Sequence, residues 1–374
     1  MSTTIKIEQN IISWAIERAG HEINAFFEDN PLYKKWYNEE KTPTLKQLEK
    51  FSNKLHVPFG YLLLQEPPEE ILPIPFYRSI AGNTKTSINV FDTIQILQRR
   101  QEWLKDYLLE NEHEPLSFVG KFNIEASVDD IVKDIRNTLN LNDKWASGFK
   151  TWEDALNHLT EQIEEIGIVI NFNGVVQNNT HRPISVKECR GFVLVDEIAP
   201  FMFVNNADAK AAQLFTLIHE LAHIWLGESA GFENQNMLPS NDPIEILCDK
   251  VAAEFLVPTE ILQSIWLELN DIKKTAHFFK VSPIVIARRI LDLGIYTKKK
   301  FFDFYNSYME EFREKKERMG SGGDFYATAK KRISLAFAAH INNAVKTNQL
   351  LYRDAYKLTG LKGDTFNKFL ANSL

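Results

Sequence analysis

The sequence predicts a helix-rich α+β chain in four parts. These are an all-α front module at 1–68, a linker and long helix at 69–125, a central domain at 126–298, and a helical C-terminal module at 299–374. Three observations carry this reading. Apolar residues recur at three- and four-residue spacing along most of the chain, the period of amphipathic helices. Short β-branched and aromatic runs are confined to the stretch between Gly167 and Asn206, which places a small, mostly antiparallel sheet in the central domain. Proline-rich "EPPEEILPIPF" breaks the periodic pattern after the front module, as a linker does.

Composition bounds the class. The 374 residues are 44% hydrophobic and 25% charged, ordinary for a globular chain long enough for two or three cores. A net charge of −7 excludes general affinity for nucleic acid, so any DNA contact needs a local basic face. Cys189 and Cys248 are too few for a disulfide scaffold and fit a reducing compartment. The N-terminus lacks the charged-then-apolar pattern of a signal peptide, and no run of about 18 apolar residues occurs. The expected address is the cytoplasm.

In the front module, "QNIISWAIERAG" reads as a helix that Gly20 ends, and Asn30-Pro31 opens a short helix containing Lys34 and Lys35. Thr44 caps a stronger one, with Leu45, Leu48, Phe51 and Leu55 on one face. Three helices follow in "VFDTIQILQRRQEWLKDYLLENEH", "SVDDIVKDIRNTLNL" and "TWEDALNHLTEQIEEIG". Arg99 and Arg100 read as a solvated face of the first of these. "GIVINFN", "CRGFVLVDE" and "PFMFVNN" are the strands. Beyond Pro258, "DIKKTAHFFKVSPIVIARRILDLGIY" reads as a helix, turn and helix, and "FREKKERMGSGGDFY" as a mobile loop.

The chemistry concentrates in "FTLIHELAHIWLG". His219 and His223 are four apart, so a helix presents both imidazoles to one point, with Glu220 about 100° round the same turn. This is the H-E-x-x-H arrangement, in which two imidazoles bind zinc and the glutamate takes a proton from zinc-bound water. A third ligand is needed. Leu226 and Ser229 stand where one class of such sites requires Gly and His, so a glutamate from a second helix is the remaining common solution. "PIEILCDKVAAEFLVP" supplies that helix, opened by Pro243 and closed by Val257-Pro258. Glu245 can complete the set, and Asp249, one turn on, can accept the free N–H of a ligating histidine. Glu228, Glu233 and Glu254 are alternatives. Cys248 reads as a small buried residue, since a fourth protein ligand would close the site.

Two resemblances follow from these motifs. "WAIERAG" and "KTPTLKQLEKFSNKLHVPFGYLL" resemble the five-helix domain of Xre regulators, phage-repressor-like helix-turn-helix proteins. That implies DNA contact through the helix at "PLYKKWYN", with Lys34 and Lys35 as its cations. "RGFVLVD", "PFMFVNN", "FTLIHELAHIWLG" and "EILCDKVAAEFLVP" resemble successive motifs of the ImmA/IrrE zinc metallopeptidases. That implies a zincin-like domain binding one Zn²⁺ per chain through His219, His223 and Glu245, with Glu220 as catalytic base. The chain has Cys248-Asp249 where the family usually carries Ala-Asn. The resemblance also implies a protein substrate, a helix-turn-helix repressor or toxin–antitoxin partner, held along a sheet edge at "PFMFVNN". The alternative is a DNA-binding regulator or antitoxin that uses the peptidase fold as a scaffold or sensor. His181, Arg182 and Arg190 are candidates for stabilising the oxyanion.

Overall fold

Helices of the central region begin where the sequence supplies a side-chain oxygen for their free N–H groups. Ser127 accepts from the backbone of Asp130, Thr151 from Asp154, and Asp242 from Ile244 and Glu245. In this computed structural model the described residues are 4–70, 86–232, 242–316 and 331–373. They fall into two compact units, residues 4–70 with 86–94, and the rest.

The first unit contains α1 (Gln9–Arg18), α2 (Ile23–Asp29), α3 (Pro31–Tyr37), α4 (Leu45–Leu55) and a 3-10 turn at Phe59–Leu63. Ile11, Ile12, Ile16, Trp36, Leu48, Phe51 and Leu55 form its core. Thr44 and Gln47 make a reciprocal capping box at the start of α4. α3 is seven residues long, turns Trp36 inward and leaves Lys34 and Lys35 exposed. Arg18 grips both oxygens of Glu70 at 2.8 and 2.7 Å.

The second unit takes in most of α5 (Ile88–Glu110), then α6 (Val128–Thr138) and α7 (Trp152–Glu165). Strands β1 (Val169–Asn173), β2 (Val175–Val176), β3 (Asn179–Pro183), β4 (Gly191–Leu194) and β5 (Phe201–Asn205) lead into α8 (Lys210–Leu226). β6 (Ala230–Phe232) and α9 (Pro243–Leu256) follow, then α10 (Thr259–Leu269), α11 (Ile272–Phe279), α12 (Pro283–Asp292) and α13 (Lys298–Lys316). Three further helices, α14 (Leu335–Lys346), α15 (Tyr352–Thr359) and α16 (Gly363–Ser373), lie in the C-terminal part. The four-stranded sheet has the order β1-β5-β4-β6, with β1 parallel to β5 and the other pairs antiparallel. One continuous core joins α6, α7, α8, α9 and the sheet to the α11–α12 pair, whose Phe279, Val281, Ile286 and Ile290 are buried in it.

Three expectations are corrected. "PFMFVNN" forms β5, which is hydrogen-bonded on both sides by β1 and β4, so it offers no free edge to a substrate. Its five residues are all buried, as a strand covered on both faces must be. Arg100 is not on a solvated face. It is buried and donates to the Leu358 carbonyl at 2.7 Å, to Asn171 Oδ1 at 2.9 Å and to the Arg332 carbonyl at 3.3 Å. Burial, with a smaller push from Arg99, lowers its pKa to about 10. The expected loop at "FREKKERMGSGGDFY" begins instead as helix, since α13 runs through Lys316; residues 317–330 lie outside the described set.

Candidate metal centre

α8 is apolar on nearly every side, so its core packing takes three titratable residues inside with it. His219, Glu220 and His223 are fully buried, and Glu245 is 1% exposed. Isolated, each such group would be strongly destabilising, so the arrangement calls for mutual pairing or an ion. α9 faces α8 and brings Glu245 to the histidines. His219 Nε2 lies 3.3 Å from His223 Nε2, His219 Nε2 is 3.4 Å from Glu245 Oε2, and His223 Nε2 is 3.1 Å from Glu245 Oε1. A tetrahedral zinc ion with bonds of about 2.0–2.1 Å sets its ligand atoms about 3.3 Å apart. Each separation is close to that edge length, the two to Glu245 being to different oxygens of its carboxylate, and one ligand atom from each residue lies within 4.8 Å of the others. Two imidazole nitrogens and a carboxylate are also the donor types zinc takes when a fourth position is kept open.

The rings are held unequally. His219 Nδ1 lies within ion-pair distance of Asp249 Oδ1, at 3.1 Å, which sets a carboxylate behind the ring while Nε2 faces the cluster. His223 Nδ1 is buried with no hydrogen-bond partner among the described residues. Burial pulls the His219 pKa down, but Asp249 and Glu245 together outweigh it and raise it to about 10. Burial also lowers that of His223, beyond what Glu245 restores. Burial raises the Glu245 carboxyl, yet the two imidazoles hold it well below the usual carboxylate range. Glu220 is different: neither oxygen has a hydrogen-bond partner among the described residues and, unlike Glu245, it has no imidazole at ion-pair distance to offset burial, which drives its pKa well above the ordinary value.

The space for Glu220 comes from a residue the sequence reading did not single out. A Cβ added to Gly191 of β4 would lie 2.9 Å from Glu220 Oε1 and 2.5 Å from Thr216 Cγ2. The sequence signals were an isolated glycine within a strand, which marks a close approach, and its place in the motif "RGFVLVD".

Among the described residues, the donor atoms that converge within 4.8 Å are those of His219, His223 and Glu245. Cys248 is buried beside them but outside that group. Glu254 is committed elsewhere: it pairs with Arg289 and accepts from the Thr259 amide at 2.9 Å and hydroxyl at 2.8 Å. Glu228 is exposed, and Glu233 lies outside the described residues. His181 is exposed on β3, Arg182 is buried there, and Arg190 faces Asp208 at 3.6 Å. None of the three belongs to the cluster. Lys34 and Lys35 sit in the separate front unit.

Residues 163–291 match the family model described as IrrE N-terminal-like domain, Peptidase_M78. The matched segment runs from the end of α7 into α12 and holds the whole His219, Glu220, His223, Glu245 and Asp249 set. The match suggests an ImmA/IrrE-type metallopeptidase. Residues 333–372 match a second family model, a domain of unknown function named DUF8813. Neither matched segment reaches residues 1–162. A search of curated proteins returns no match. No helix among the described residues is long and apolar enough to cross a membrane.

Proposed function

We propose that the chain is a zinc-dependent endopeptidase that cleaves a protein partner, a helix-turn-helix repressor or antitoxin-type regulator, to control gene expression. The observation that carries this is the buried Glu220, unpaired among the described residues and next in sequence to a ligand of a donor set with zinc-like spacing. A structural ion pair would leave no reason to bury a further acid there. Zinc at such a site supplies Lewis acidity and brings the pKa of a water close to neutrality. His219, His223 and Glu245 are the residues that would hold it. A nearby dication favours the ionised form of Glu220, against the effect of burial. The Glu220 carboxylate then takes a proton from the attacking water and returns it to the departing amine. Asp249 keeps the His219 ring in its binding orientation.

The test is co-expression with any helix-turn-helix repressor or antitoxin-type protein that a neighbouring gene encodes, followed by mass spectrometry of that protein. One shortened fragment made by wild type and absent with Glu220→Gln supports the reading. An intact partner under inducing stress, with a reporter response that survives Glu220→Gln, would replace it with the scaffold reading. DNA contact by the front module is a separate proposal that rests on the exposed Lys34 and Lys35. A gel shift on the gene's own upstream region, lost in Lys34→Ala/Lys35→Ala and fading with salt, tests it.

A further inference from the structure

The two helix faces that carry the cluster continue past it. On α8, Phe215 lies one turn before His219 and Ala211 two turns before; on α9, Ala253 lies one turn beyond Asp249. These faces line a partly open cavity of about 510 Å³, to which Val285 of α12 and Val128 of α6 also contribute. Asp249 lies in its wall while its Oδ1 is 3.1 Å from His219 Nδ1, so the cavity begins one contact away from the cluster. Ala211, Ala212, Phe215, Ile246, Ala253 and Val285 all line it and are all only partly buried, so apolar surface faces the open space.

Charge argues for an apolar occupant. Three of the four cations at the cavity already face acids: Arg289 pairs with Glu254, Arg288 with Asp292 at 3.0 Å, and Arg190 with Asp208 at 3.6 Å; the fourth, Lys250, is exposed, and Asp129 and Asp249 add negative charge to the wall. An anionic ligand would compete with those pairs, whereas an apolar side chain covers the floor and leaves them intact. The volume lies within the range of about 300–1,000 Å³ typical of ligand sites, ample for one large side chain with the backbone that carries it. Two helical turns span about 11 Å, and an extended peptide advances about 3.3 Å per residue. A side chain in this cavity therefore belongs to a residue within about three of the scissile bond.

We infer that the cavity between α8, α9 and α12 is a specificity subsite that takes a large apolar side chain of the peptide substrate, at one fixed position within about three residues of the cut. This rests on the peptidase reading, and its test separates the two. The zinc-loaded full-length chain is incubated with a randomised decapeptide library, and the cut products are sequenced by mass spectrometry. Ala212→Trp and Ala253→Phe fill the cavity from two different helices; each is checked for zinc content and thermal melting.

Wild type is expected to favour leucine, phenylalanine or tryptophan over alanine at one position. The filled variants should reduce that leucine-to-alanine ratio at least about tenfold, the scale of a lost apolar fit. A flat wild-type profile at those positions would overturn the inference even if neither variant folds. So would an unchanged ratio in a folded variant. If wild type cuts nothing, the peptidase reading fails, and binding decides the subsite by itself. Enrichment of library peptides with large apolar residues by Glu220→Gln, lost in Glu220→Gln/Ala212→Trp, would keep the cavity as a side-chain site. No such enrichment would remove it as well.

Discussion

Asp249→Ala should loosen zinc without touching a proposed ligand. Asp249 Oδ1 stands 3.1 Å from His219 Nδ1, and the imidazole it orients is fully buried. With the carboxylate gone, His219 loses the charged group facing its Nδ1 at 3.1 Å and must find its binding orientation unaided. Losing the group that orients a metal-bound histidine weakens affinity about 10–100-fold, or about 1.4–2.7 kcal/mol. Asp249→Asn keeps an oxygen that can accept the Nδ1–H, so it should lose less than the alanine variant. Competition against a chelator of known affinity measures both. Cys248→Ala changes a buried neighbour outside the donor group and serves as the control, with zinc affinity expected to hold. Wild-type affinity in Asp249→Ala would show that the contact does not position His219, and the account of the unequal rings would fall.

Three further outcomes follow from the same contacts. His219 is raised to about 10, so below that pH zinc must displace a proton; apparent affinity should rise up to about tenfold per unit between pH 6 and 8, and a flat profile by chelator competition would contradict this. Glu164, raised by burial from 4.5 to about 7 despite accepting from Ser334 Oγ at 2.6 Å, binds its proton more tightly folded than unfolded. Its contribution is therefore full below pH 4.5 and lost as pH rises through 7, up to about 3 kcal/mol, and denaturation of Glu164→Gln should show that slope removed. Arg100→Met removes a buried cation from the Leu358 and Arg332 carbonyls and from Asn171, which should cost about 3 kcal/mol or more in urea denaturation. It should also speed proteolysis within residues 331–373; unchanged stability would mean that these contacts do not hold that segment.

The parts of the fold set by local chemistry were legible in the sequence. Four-residue spacing placed His219 with His223 and Glu245 with Asp249, and Pro243 and Pro258 bounded the second helix, because helical period and caps act over a single turn. What depended on distant partners was not. Nothing next to Glu254 reveals that Arg289, 35 residues away, engages it. Arg100 finds acceptors 71, 232 and 258 residues away, so beside Arg99 it read as a surface pair. Strand order is likewise non-local, yet the unbroken apolar run Phe201–Met202–Phe203–Val204 did carry the mark of a strand covered on both faces, and therefore of an interior one. The hairpin of β2 and β3 was missed because "NTHRP" is mostly exposed and lacks an alternating pattern.

The most direct measurement compares hydrolysis by zinc-loaded wild type and zinc-loaded Glu220→Gln on the same peptide, with zinc content determined on the same samples. Glutamine keeps the size of Glu220 but cannot accept the proton at neutral pH. The account predicts equal zinc, about one ion per chain, and a rate lowered by about 10²–10⁴, the scale of losing a positioned base. Equal zinc with an unchanged rate would contradict it, because the buried carboxylate would then take no part in the reaction.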